Sequence, residues 1–216
     1  MTDFKAIKGF NVKSLAADPK STGITGATWA SGGNVNTARV FFGSAGSQTS
    51  TVIFGGNTGD AVGVVESYNG SSWTEIADLN TARNALAGFG ASNTSALAFG
   101  GYTIAHVAIA ETWNGTSWTE VGDLNVVRQD VRGSGGSNTD ALAIGGLGPA
   151  YLALTEHWDG SSWTEIADMA TARAQGGGSG TTTAGLYSSG YAGSSNLANT
   201  EEFTAPETAT VSFTVS

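Results

Sequence analysis

A spacing constrains this chain more than any other feature: Trp73, Trp118 and Trp163 stand 45 residues apart, and Trp29 lies 44 residues before the first of them. Ten residues after each tryptophan comes an arginine: Arg39, Arg83, Arg128 and Arg173. A glycine pair follows at Gly55-Gly56, Gly100-Gly101 and Gly145-Gly146, and the fourth copy keeps Gly190 with Tyr191 in the second place. Next come a glutamate and, two residues on, an aromatic: Glu66 and Tyr68, Glu111 and Trp113, Glu156 and Trp158, Glu201 and Phe203. Four independent markers share one period. A unit of this length, repeated, indicates a propeller, solenoid or array of supersecondary units.

Within one unit the residue pattern is that of short strands. In the second copy "RNALAGFG", "SALAFGG", "VAIAETW" and "WTEVGDL" are separated by turn-forming residues. Asn-Gly between apolar and aromatic runs is a strong hairpin signal, found at Asn69-Gly70 and Asn114-Gly115, with Asp159-Gly160 as its equivalent. Four strands per unit predict propeller blades. The second strands are nearly continuous apolar runs, as expected of a blade covered on both faces. The first strands are rich in Gly and Ala and are predicted nearest the axis, where space is tightest.

The phase of the repeat sets the predicted architecture. After Phe203 no tryptophan follows, and the missing strand lies at the other end of the chain, around Trp29 in "GATWASGGNVNTAR". The expectation is an all-β, four-bladed propeller over residues 26–203, closed by an N-terminal strand that completes the last blade and so removes an exposed sheet edge. Two chains combining into a larger ring is the alternative. Residues 1–25 are read as an N-terminal docking segment and 204–216 as a C-terminal strand or tail, because "ATVSFTVS" alternates with period 2.

Composition narrows the function classes. The net charge is −9, with 9 Lys and Arg against 18 Asp and Glu, which argues against phosphate-backbone binding and so against a nucleic-acid partner. There is no cysteine, hence no disulfide or thiolate metal site. The N-terminal residues lack a signal-peptide core and no long apolar run occurs, so no membrane insertion and synthesis in the cytoplasm are expected. His106 and His157 fall in different phases of the repeat, which suggests neither a metal site nor a catalytic pair, and no cofactor is expected. The sequons at Asn69, Asn93 and Asn114 are read as turn chemistry.

The markers themselves read as architecture. Trp29, Trp73, Trp118 and Trp163 are expected core anchors; the four Arg, set against the four repeated glutamates Glu66, Glu111, Glu156 and Glu201, are paired either with a nearby carboxylate or with backbone carbonyls between blades, or are solvated loop residues. Fourfold repetition speaks against catalysis, and the chain is expected not to be an enzyme. Divergence between copies concentrates between the second and third strands, in loops that share one face of an up-and-down blade. Asn57, Asp60, Tyr102, His106, Leu147, Tyr151 and Tyr191 are therefore the candidate binding or assembly patch.

In this order and spacing, the arginine, glycine pair, Glu-x-aromatic and later tryptophan resemble the kelch repeat, over residues 26–203. The wording "ESYNGSSWTEIADLNTAR" and "ETWNGTSWTEVGDL", with the opening "DFKAIKGFNVKSLAADP", is similar to kelch-like virion proteins of tailed bacteriophages, marine ones especially. That resemblance implies a virion localisation as a tail-fibre, tail or capsid-surface component. It also implies other virion proteins as partners, a host-surface glycan or protein as a receptor, and homo-oligomers on the particle. A free carbohydrate- or protein-binding propeller is the alternative expectation.

Overall fold

The structure, a computed structural model, describes residues 28–206. Residues 1–25 and the alternating C-terminal segment lie outside the described residues. Among the described residues there is no helix, and fifteen strands form four antiparallel sheets in a β-propeller-like arrangement.

Each repeat folds into one blade. Blade 1 holds β1 (Gly43–Ser47), β2 (Ser50–Phe54), β3 (Val65–Tyr68) and β4 (Trp73–Ile76). Blade 2 holds β5 (Ala87–Ser92), β6 (Ser95–Phe99), β7 (Ala110–Trp113) and β8 (Trp118–Glu120). Blade 3 holds β9 (Arg132–Ser137), β10 (Asp140–Ile144), β11 (Thr155–Trp158) and β12 (Trp163–Glu165). Blade 4 has three strands among the described residues, β13 (Gly177–Gly180), β14 (Ala184–Ser188) and β15 (Thr200–Thr204). In each sheet the strands lie side by side in chain order, a plain meander.

The first strands are innermost, as their composition predicts. β1 packs on β5, β5 on β9 and β9 on β13. Small residues permit this approach: a Cβ on Gly178 would stand 2.8 Å from the carbonyl of Gly133, and one on Gly88 only 2.2 Å from the Phe54 ring. A pocket lined by Phe42–Ser44, Leu86–Phe89, Val131–Gly133 and Gly178 lies where the four inner strands converge.

The unbroken apolar second strands serve two interfaces at once. In β6, Ala96 and Ala98 join the core shared with blade 1, which contains Phe54 and Trp118. Leu97 and Phe99 join the core shared with blade 3, which contains Trp158 and Trp163. Alternate residues point to opposite faces, so a strand buried on both needs apolar residues throughout. The core between blades 3 and 4 is smaller, built on Leu142, Ile144 and Tyr187.

A backbone collar rings the start of the inner strands. Phe41, Ala85, Asp130 and Gln175 occupy the same place in the four repeats, and all have left-handed φ, between 51° and 62°. The Ala85 N–H donates to Phe41 O, Asp130 to Ala85 O and Gln175 to Asp130 O. Conformations that cost about 1–2 kcal/mol per residue are thus held by inter-blade hydrogen bonds.

Two expectations are corrected. First, the fourth glycine-pair position is Ser189-Gly190, not Gly190-Tyr191. Ser189 has φ 60°, matching 65°, 64° and 62° at Gly55, Gly100 and Gly145. Tyr191 instead pairs with Ala174 as Asn57 pairs with Val40. Second, residues 28–34, expected to supply the fourth strand of blade 4, are not themselves in strand conformation in this structure. Trp29 is fully exposed, so it is no core anchor equivalent to Trp118. Local chemistry accounts for a weaker site there. Asn80 and Asn125 donate their side-chain amides to the backbone carbonyls of Trp118 and Trp163, whereas Ala170 occupies that place in the fourth repeat.

Candidate functional site: inter-blade clamps and a loop face

The arginine precedes each first strand, in the connection entering the blade, and the glutamate sits in the third strand. The repeat therefore brings together charges 27 or 28 residues apart. Arg39 pairs with Glu66 at 3.1 Å, Arg128 with Glu156 at 2.8 Å, Arg173 with Glu201 at 3.0 Å, and Arg83 with Glu111. The second carboxylate oxygen accepts the backbone N–H of Asn36, Asn80 or Asn125 at 2.6–2.8 Å, and Ala170 N–H donates likewise to Glu201. Burial pulls the guanidinium pKa of Arg39, Arg83 and Arg128 down from its ordinary value, and the facing glutamates oppose it.

Each connecting arginine joins two blades. Gly56 N–H of blade 1 donates to the Arg83 carbonyl at 2.9 Å, while Arg83 Nε donates to Gly100 O of blade 2 at 3.1 Å. Gly101 and Gly146 bind the carbonyls of Arg128 and Arg173 in the same way, at 2.8 and 3.0 Å. The left-handed glycine is required here, because a Cβ at Gly55 would stand 2.6 Å from Arg83 O.

The candidate patch falls on four equivalent loops. Asn57, Tyr102, Leu147 and Tyr191 each form two isolated bridges, one to the segment entering their own blade and one across the loop to Ala61, His106, Tyr151 and Asn196. These loops and the inter-blade connections lie at the same end, as expected. Tyr102 packs on His106 within its loop, with ring centroids 5.6 Å apart, and Tyr151 packs on Tyr191 across blades 3 and 4 at 5.7 Å. The tyrosines are half-buried braces, and Asp60 is exposed at its loop tip.

Sequence reasoning missed the residues that most expose apolar surface at this end: Ile104, at 93%, and Val40 and Phe41. For Phe41 a signal was available, since it stands where the other repeats carry Ala85, Asp130 and Gln175. A second inter-blade contact was also missed: Asp140 bonds His157 Nε2 at 2.9 Å and Thr182 at 2.8 Å. Burial alone would raise the Asp140 pKa, but its hydrogen bonds to His157 and Thr182 bring it below the usual carboxylate value.

Among the described residues, no group of three or more His, Asp or Glu is placed to hold a metal ion. What the site can do is orient variable loops on a scaffold tied together by buried ion pairs. No protein-family model matches the chain, and no curated protein matches it as a relative.

Proposed function

We propose that this chain is a non-enzymatic virion protein of a tailed bacteriophage, a surface or tail component built as a kelch-like propeller. Its last blade is completed by the Trp29 strand in the assembled state, and residues 1–25 dock it on the particle. One observation carries this reading. The repeated charged residues are consumed by the clamps between blades, whereas the residues that vary from copy to copy gather on loops at one end. A rigid frame with one variable face suits display toward a host-surface glycan or protein. The experiment is mass spectrometry of gradient-purified particles, in which the chain should be present in stoichiometric amount. Its absence from particles, with the free protein in the lysate, rejects the virion reading.

A free carbohydrate- or protein-binding propeller is the second reading. It is favoured by the uncharged residues of the loop set, where Ile104, Tyr102, Tyr151 and Tyr191 occupy the same kind of loop as Asn57. Aromatic faces beside amides suit sugar rings. Glycan-array binding by the purified chain, lost in the Tyr102→Ala, Tyr151→Ala, Tyr191→Ala triple variant while the fold persists, distinguishes it.

A further inference from the structure

Blades 2 and 3, each with a blade before it, seat the fourth-strand tryptophan in one way. Trp118 packs on Phe54 of the preceding blade at 5.1 Å and beside Trp113 at 5.4 Å, and Trp163 does the same with Phe99 and Trp158. The next such position is an open pocket of about 220 Å³. Ile144, the repeat counterpart of Phe54 and Phe99, lines it together with Met169, Tyr187 and Phe203. β15 flanks this pocket and, among the described residues, pairs only with β14, which leaves its outer edge open there. An exposed edge is a template for another strand.

The matching strand exists in the sequence. "GATWASGG" stands in the repeat phase of "GSSWTEIA", and its Trp29 is fully exposed. In blades 2 and 3 the tryptophan lies directly opposite the third-strand aromatic, Trp113 with Trp118 and Trp158 with Trp163. The same register would set Trp29 opposite Phe203 and Ala30 opposite Glu202.

We propose that this pocket is a strand-acceptor site and that its occupant is the Trp29 segment of a second copy of this chain, added antiparallel to β15. The site rests on the proposed completion of the last blade and names the donor. Among the described residues no hydrogen bond or ion pair joins blade 4 to blade 1. Blade 1 exposes Val40, Phe41 and Phe42, and alternate residues of β15 are exposed. Each chain offers one acceptor and one donor, a heterologous pairing that forms rings where the rotation closes and filaments where it does not. The seam is weaker than the internal ones. Ala170 lacks the amide of Asn80 and Asn125, and the Ser189 Cβ stands where a glycine elsewhere admits the next arginine carbonyl. Association is therefore reversible.

Directly opposed residues in an antiparallel pair lie at disulfide-compatible separation, and the chain has no cysteine of its own. An A30C chain and a differently tagged E202C chain, mixed and oxidised, are expected to give a mixed disulfide between residues 30 and 202. Adding W29A to the first chain lowers its yield by at least about tenfold, the loss of roughly 1.4 kcal/mol of docking. Adding S189G to the second chain raises it. Two results overturn the proposal: no mixed disulfide while the A30C/E202C double variant cross-links within single chains, or no cross-link in either format. Neither result bears on whether the chain is found in virions, so the two readings fail separately.

Discussion

Blades 2 and 4 are written in the same repeat, yet one is sealed and the other is not. In blade 2 Glu111 is fully buried, and Trp113 and Trp118 cover the third and fourth strands. In blade 4 the Glu201 side chain retains 24% exposure, and Phe203 lines an open pocket. The arginines are the same: Arg83 and Arg173 are both buried. The difference teaches that the arginine is buried by its entry into the blade, whereas the glutamate is buried by the fourth strand.

That comparison can be broken most directly at the ion pairs. Arg128→Ala strands Glu156 without its cation in a closed interior and is expected to cost about 3–5 kcal/mol, a melting-temperature drop of roughly 6–20 °C for a chain of this size. Arg173→Ala, whose partner reaches solvent, is expected to cost less than half as much in the same thermal melt. Equal losses would show that the open edge does not relieve Glu201.

Tryptophan truncation sharpens the point. Trp118→Ala should lose about 3 kcal/mol in urea titration, while Trp29→Ala in dilute monomer should leave the midpoint unchanged. A large effect at Trp29 in monomer would mean that the strand closes on its own blade.

Smaller effects test the glycine pair. Gly145→Ala combines a left-handed φ of 62° with a contact to Arg173 O at 2.6 Å, and is expected to cost about 1–2 kcal/mol. Ser189→Gly relieves the same φ and should gain less than about 1 kcal/mol, offset in part by unfolded-chain entropy. Chemical denaturation of both variants reads the difference.

The smallest effect concerns pH. Asp159 is pulled down to about 2 by backbone N–H groups of Ser162 and Ser161 and the Ser161 hydroxyl, whereas the equivalent Asn69 and Asn114 do not titrate. A depressed carboxyl contributes stability that is present above its unfolded pKa and is lost as pH falls through the folded one. The hairpin of blade 3 should therefore weaken between about pH 4 and pH 2, and Asp159→Asn should abolish that slope in hydrogen exchange of the 159–162 turn. A slope that survives the substitution assigns it elsewhere.

The repeat was legible because its markers are the residues that touch the next blade: the arginine that bridges, the glycines that admit its carbonyl, the tryptophan that covers. Four strands per unit, inner first strands and doubly buried second strands all follow from period and composition. The alignment of the fourth glycine pair was not legible, because Ser189 adopts a conformation that its residue type does not announce. Trp29 misled for a related reason. Its phase specifies where such a residue fits, but burial needs a neighbouring blade to be present, and phase alone carries no information about that. The loop positions of Asn57, Tyr102, Leu147 and Tyr191 were legible from the repeat phase, but the inward bracing of Tyr151 on Tyr191 depends on two blades meeting.

The connecting arginines have a mechanical consequence. Each is gripped by the blade before it through its carbonyl and by the blade after it through its side chain, so pulling on the chain loads both grips in series. Among the described residues blade 4 has the smallest core behind it and no arginine clamp on its outer side. Force applied at the C-terminal end should therefore peel the array one blade at a time from blade 4 inward, in about 45-residue steps of contour, with the first step yielding at the lowest force.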